Sequence, residues 1–428
     1  MLVNRKILFP LLAGLHVALV LAFIFVFNYE QIADSVRYIK VADEFLTLDF
    51  KFSTKYNCNS APGYPFFLAL INFFTSHNKY LIGLVQGIIF ALSSLYFIKN
   101  LTKRINISVF SILCFAGLIF LSPEFIHING TTLSESLVAS CLIFLFGALI
   151  NEDKTKKEYV IITISSVFMV FAKMEYIPVL VAIIIPYLIY KIEYKTPVVI
   201  IGLTGILLFL NGVKNEQTFG IFNPTSFGSG TVIYGGNNLS LDGSWHYNAN
   251  TYVAPEHREE FDRINVLLSR ECCTTQDSMF KAMAVHAWKQ DPIDQLLVIP
   301  VKTAKMWLLP GNFDIYTDQT DFKRGLLFST LFDDEIWPWY AKYKHGMYLI
   351  VYWISLLISI LGLYFKIKTH GLMIFDFALL LTIIGMTALY SVPFYGLPRF
   401  HLPVIFLLFY YSIYCFEAIN ERFNLVKE

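Results

Sequence analysis

Long apolar runs, each closed by charged or turn-forming residues, recur along this chain. A hydrocarbon core of ~30 Å takes ~20 apolar residues to cross as a helix. Runs near that length fall at roughly 7–27, 80–98, 106–122, 132–150, 159–172, 176–190, 197–213, 347–365, 371–390 and 400–416. The pattern predicts an all-α polytopic membrane protein with about 10 transmembrane helices. The runs 159–172 and 176–190 are short and are split by Lys173-Met174-Glu175. They read either as two crossings or as a re-entrant hairpin, and the sidedness of every other loop is the same in both cases. The first run is too long for a signal-peptide core and lacks a small-residue cleavage site, so it reads as a retained helix.

Two intervals, 28–79 and 214–346, are too long to be simple connections. They divide the chain into a transmembrane core at 1–213, a large loop at 214–346 and C-terminal helices at 347–428. In the first interval, Arg37, Lys40 and Glu44 share one side of a helical wheel, and Tyr38, Val41, Phe45 and Leu46 cover the other. That spacing predicts a short amphipathic helix in the plane of the membrane surface. Pro62-Gly63-Tyr64-Pro65 forces a turn into a second juxtamembrane helix, too short to span. The large loop holds five of the six tryptophans. Indoles favour the membrane interface, so this loop is expected to fold onto the outer membrane surface.

Charge orients the helices. Arg5, Lys6, Lys99, Lys103, Arg104, Lys154, Lys156 and Lys157 fall in short loops or tails on one side. Lys191, Lys195, Lys366, Lys368, Arg422 and Lys427 join them, against only Lys173 and Arg399 opposite. Basic residues mark the cytoplasmic side, so both termini are expected there and both long intervals outside. Hydrophobic residues make up 56% of the chain and charged residues 15%, with a net charge of +1. Soluble domains carry nearer 25% charge, and no basic tract or finger spacing indicates a nucleic-acid partner. Lys/Ile/Asn/Phe-rich composition points to a bacterial inner membrane. Cys114, Cys141 and Cys415 lie in apolar runs, whereas Cys58, Cys272 and Cys273 lie in loops, which leaves a bridge from Cys58 to one of the vicinal pair open. Asn129-Gly130-Thr131 and Asn238-Leu239-Ser240 are sequons on the outer side.

Chemistry-bearing residues gather on that side. Asp34 precedes Tyr38 by one turn, and helix N-capping is an alternative role for it. Glu135 is placed about one turn inside the fourth run, where an acid either faces an aqueous cavity or complements the helix dipole. Asn237, Asn238 and Asp242 sit in Gly-rich turns suited to hydroxyl-bearing ligands, a weak signal on its own. Arg399 and His401 lie at the mouth of the last run. Arg399 reads either as snorkelling to the interface or as a phosphate clamp. Asp376, near the cytoplasmic end of the run 371–390, has no account from the sequence.

Asp34 with Tyr38 and Ala42, Pro62-Gly63-Tyr64-Pro65, Ser134-Glu135, Gly236-Asn237-Asn238 with Asp242-Gly243, and Arg399-Phe400-His401-Leu402-Pro403 follow one another along this topology. In that order they resemble the membrane glycosyltransferases of the GT-C fold, in particular the protein O-mannosyltransferases and the lipid A aminoarabinose transferase (family 39-like). The resemblance is strongest over residues 1–250 and 390–405. It implies a GT-C fold and transfer of a sugar from a polyprenyl-phosphate donor to a lipid, glycan or protein acceptor at the extracytoplasmic face, with inversion. It further implies Asp34 as general base and Glu135 orienting the acceptor or a cation. Arg399, with Lys173 or His401, would stabilise the leaving phosphate, and Tyr38, Tyr64, Asn237, Asn238 and Asp242 would bind substrate. Relatives often carry paired acids where this chain has Asp34-Ser35, so a divalent metal stays open and no metal ligand is assigned. No soluble sugar-binding domain is expected after the last helix, a further departure from that family. Other readings of the same pattern are an O-antigen or polysaccharide polymerase and a lipid-linked sugar transporter or flippase.

Overall fold

The computed structural model describes residues 5–26, 33–47, 60–75, 78–151, 154–189, 194–237, 273–310, 336–394 and 396–423, together with Cys58. Among these residues the chain is all-helical. It begins with α1 (Arg5–Val26), α2 (Ala33–Leu46), α3 (Gly63–Thr75) and α4 (Lys79–Arg104). The next turns are α5 (Val109–Phe120), α6 (Pro123–Gly130), α7 (Ser134–Leu149), α8 (Lys156–Ala172) and α9 (Ile177–Ile189). There follow α10 (Lys195–Phe219), α11 (Ser229–Gly236), α12 (Cys273–Gln290) and α13 (Pro292–Leu308). The chain ends with α14 (Ile336–Thr369), α15 (Ile374–Ser391), α16 (Leu402–Phe409) and α17 (Ser412–Phe423). Helix α10 runs past residue 213 and α14 starts before residue 347, so the bundle helices project into the large loop at both of its ends.

Among the described residues seven helical segments are long and apolar enough to cross a membrane, which makes this a multi-pass membrane protein. They are Ile7–Phe25, Lys79–Arg104, Val109–Gly130, Lys195–Phe219, Tyr348–Thr369, Ile374–Ser391 and Arg399–Phe423. The other three expected runs form α7, α8 and α9, of 16, 17 and 13 residues. Helices α8 and α9 do not pair as a hairpin. Helix α8 packs on α7 and α10, and α9 packs on α15.

Local sequence explains the helix ends. The Asn78 side chain accepts from the backbone of Tyr80 and Leu81 and opens α4. Thr155 and Glu158 form a reciprocal capping box at α8. Gly220 takes φ 74° and closes α10, a conformation that costs glycine nothing. Lys103 and Arg104 end α4, and Lys366 and Lys368 end α14, where cations complement the helix dipole.

The core is layered around α7. Every residue of α7 except Phe144 is buried, between α4, α8 and α16. Small residues permit that enclosure. The position of Gly147 lies against Tyr96 and the Phe97 backbone of α4, and its carbonyl accepts from Asn100 Nδ2 at 2.8 Å. Phe97, Phe115, Phe406 and Tyr410 meet edge to face beside it.

Two expectations need correction. Helix α2 turns Tyr38, Val41 and Ala42 inward and packs on α3, so protein and not lipid covers that face. The Asn129 sequon is fully buried: its amide donates to the Phe125 carbonyl and its oxygen accepts from Ser136, leaving no room for a glycan. Asp376 also gains an account. Its Oδ2 accepts from Met373 N at the start of α15 and pairs with Lys366 Nζ at 3.5 Å, both side chains being buried.

Candidate functional site

Four distant stretches of chain meet at one end of the bundle. Helix α2 brings Asp34 and Arg37 on successive turns. The α7 N-terminus brings Glu135, and the link from α8 to α9 brings Lys173 and Glu175. Arg399 comes from the 3-10 turn Pro398–His401 that leads into α16.

The charges alternate. Arg399 Nη2 lies 2.9 Å from Asp34 Oδ2, and Arg37 Nη2 lies 3.3 Å from Asp34 Oδ1. Arg399 Nε is 3.9 Å from Glu135 Oε1, which lies 3.0 Å from Lys173 Nζ. Lys173 also reaches Glu175 Oε1 at 3.4 Å and stands over the Phe400 ring at 5.0 Å. Tyr390 Oη donates to Glu175 at 3.2 Å. Three cations thus face three carboxylates, with Glu135 and Lys173 buried.

Burial alone would raise the Asp34 carboxyl, but Arg399, Arg37 and Lys173 outweigh it and hold it down to about 2. Asp34 is therefore ionised at neutral pH and bound to its guanidinium partners.

The residues expected at the site separate into two groups. Asp34, Tyr38, Glu135, Lys173 and Arg399 come together. Tyr38 Oη and Ser134 Oγ are 3.3 Å apart, and Ser134 Oγ donates to Glu135 Oε2 at 3.3 Å. Glu135 is the second residue of α7 and not a turn inside it, because Leu133 is extended and the helix starts later than the apolar run. The other group holds the frame. Tyr64 is fully buried and donates to Gln86 Oε1 at 2.7 Å. Gln86 in turn donates to the carbonyls of Asn129 and Thr131, fixing the strand of chain that leads to Glu135.

Asn237 and His401 are corrections. The Asn237 amide donates to the Ile233 and Pro393 carbonyls, and its oxygen accepts from Lys302 and Trp288. It braces the loop before Arg399 and has no donor left for a sugar. His401 is fully buried, donates from Nδ1 to the Met306 carbonyl and stacks on Trp307 at 5.3 Å. In a tight 3-10 turn, residues two apart point to different sides, which separates it from Arg399. Asn238 and Asp242 lie outside the described residues.

Arg37, Glu175 and Tyr390 were not expected. Arg37 shares the polar side of α2 with Lys40 and Glu44, and nothing in a single helix distinguishes a paired arginine from a solvated one. Glu175 sits two residues from Lys173 in an apolar stretch, which is a readable signal for an enclosed pair.

The carboxylates suit cations already in place. Guanidinium groups meet both Asp34 oxygens, and Lys173 and Ser134 meet those of Glu135. Such a donor set does not fit a divalent metal, and among the described residues no three of His, Cys, Asp and Glu converge on one point. The arrangement can instead exchange its internal carboxylate–cation pairs for an incoming anion. Cys58, in the stretch between α2 and α3, is disulfide-bonded; the vicinal pair expected as its partner falls outside the described side chains. No protein-family model matches the chain, and no curated protein matches it.

Proposed function

We propose that this chain is a GT-C-type membrane glycosyltransferase that moves a sugar from a polyprenyl-phosphate donor to a lipid, glycan or protein acceptor. The observation that carries the reading is the 2.9 Å pair between Asp34 and Arg399, set in one cluster with Glu135 and Lys173. The reading places both termini in the cytoplasm of a bacterial cell, the chain in the inner membrane and the cluster outside. Two features support that side. The basic last turns of α4, α14 and α17 lie at the far ends of their helices. Cys58, in the same interval between α1 and α4 that carries Asp34, is disulfide-bonded, and disulfides persist in oxidising compartments.

The mechanism follows from the charges. The donor phosphate takes the Arg399 fork, which matches phosphate in a bidentate manner, and Lys173 lies within the same network. Drawing Arg399 onto the phosphate relieves Asp34 of its nearest counter-charge, so its basicity rises toward the ordinary carboxylate range. The acceptor hydroxyl oxygen then attacks the anomeric carbon from the face opposite the phosphate. Its proton passes to Asp34, and the carbon–oxygen bond to phosphate breaks with the electron pair leaving on the phosphate. Arg399 meets that developing charge. Glu135 holds Lys173 and Arg399 in register. One displacement inverts the anomeric configuration.

The test is transfer of radiolabelled sugar in membranes, with a panel of polyprenyl-phosphate sugars. Asp34→Asn is expected to lower the rate by about 10²–10⁴-fold, the range for a positioned base. Full activity in Asp34→Asn would remove the proposed role. The transport reading has less support, because the two buried charge clusters sit at opposite ends of the bundle with the Phe97–Phe115–Phe406 packing between them.

A further inference from the structure

Helix α13 is inside out for an element of a large polar loop. Its inward positions are Gln295, Val298, Lys302 and Met306. Its outward positions are Ile293, Leu296, Leu297, Val301 and Leu308, with Ile293 70% and Leu297 65% exposed. A face of this kind in water would forgo the gain that burying apolar area brings.

The depth of α13 is fixed by four side-chain contacts. Thr303 Oγ lies 2.9 Å from Ser391 Oγ, and Trp307 Nε1 donates to Thr387 Oγ at 2.9 Å. Tyr352 Oη donates to the Trp307 carbonyl at 2.6 Å, and Trp353 Nε1 to the Leu308 carbonyl at 3.0 Å. Thr387 is one turn inside the span that ends at Ser391, and Tyr352 is one turn inside the span that starts at Tyr348. The last turn of α13 is therefore level with apolar, membrane-crossing helix on two sides. Exposed Leu308 on that turn adjoins the exposed surface formed by Ile350, Trp353 and Ile354 of α14 and Ile384 of α15.

We propose that α13 enters the leaflet on the side of the Asp34–Arg399 cluster, with Leu296, Leu297, Val301 and Leu308 against lipid acyl chains. Lipid is the occupant because this face is continuous with the outward faces of two spans. Indoles at the same level match the preference of tryptophan for the interface. The inner face of the helix grips the arginine-bearing turn. The Lys302 backbone carbonyl packs against Gly396, where a side chain would clash, and the Met306 carbonyl takes the proton of His401 Nδ1. Acyl chains thus press on one side of α13 and the Pro398–His401 turn rests on the other. This assignment does not depend on the transfer reaction.

Nitroxide labels at Leu297→Cys, and separately at Val301→Cys, test it in the full-length protein in phospholipid nanodiscs. Power saturation compares access by oxygen, which concentrates in acyl chains, with access by a water-soluble nickel chelate. Ile354→Cys gives the lipid reference and Lys156→Cys the water reference. Oxygen access exceeding nickel access at both positions, with the sign seen at Ile354→Cys, supports the proposal. Nickel access prevailing, as at Lys156→Cys, overturns it by placing α13 in water. Protection from both reagents also overturns it, because a second copy of the chain or another protein would then cover the face.

Discussion

At the scale of single residues, the Asp34 carboxylate is the group whose state sets the behaviour of the site. Its value is held at about 2, below the usual 3.8, so the favourable pairing with Arg399 and Arg37 is complete above about pH 4. The pairing weakens as pH falls from 3.8 through 2. Between pH 5 and 8, kcat/KM, which reports the free protein, is expected to show no acid limb from Asp34. The kcat profile reports the donor-bound form, in which Arg399 has turned to phosphate, and its acid limb is expected at higher pH. Coincident limbs in a pH series of transfer rates would refute the exchange of partners. Arg399→Lys keeps the charge and loses the fork, so donor affinity should fall while Lys173 stays paired. Titrating the donor analogue against both forms measures that loss. Much of this cluster was legible in the sequence. An acid after the first apolar run, an acid at the fourth and an arginine at the last stand out because charge is costly there. Asn237 and His401 were misread because residue type does not reveal that the Asn237 amide is already spent on bracing contacts and that His401 gives its Nδ1 proton to the Met306 carbonyl.

At the scale of elements, close backbone approach governs which substitutions the bundle accepts. An added Cβ at Gly362 of α14 would run into the Tyr411 carbonyl between α16 and α17. The chain there is tightened, with Tyr411 N bonding Leu408 O and Tyr414 N bonding Tyr411 O. Gly362→Ala is expected to destabilise by about 1–3 kcal/mol, the usual range for overpacking, read as a lower melting temperature in detergent. Lys366→Met should cost more, about 3–5 kcal/mol, because Asp376 would be left buried and uncompensated. Pairing it with Asp376→Leu should restore most of the loss, and a melting series of the three variants decides the matter. Helix positions were readable from apolar runs, since burial in lipid and burial in protein select the same residues. For that reason α7, enclosed by protein, could not be told from a lipid-facing span by composition. The packed side of α2 was misassigned on the same ground, because lipid and α3 ask for the same apolar stripe.

At the scale of the whole molecule, the number of crossings fixes the side on which each terminus emerges. The seven long segments alone would put the termini on opposite sides. Adding α7, α8 and α9 would return them to one side, the arrangement proposed from the basic-residue distribution. Reporter fusions at the two ends are expected to give cytoplasmic signals for both; opposite signals would show that an odd number of helices crosses. The enclosure of α7 also has a consequence for how the protein is made. Helix α16, one wall of its chamber, is synthesised roughly 250 residues after α7. At about 5–20 residues per second, that delay is on the order of tens of seconds. Throughout it a nascent α7, studded with Ser134, Glu135, Ser136 and Ser140, must wait with one flank uncovered. Assembly therefore finishes only when the C-terminal helices slot in, and a chain stalled by the ribosome before that point is left with α7 lacking one wall of its chamber.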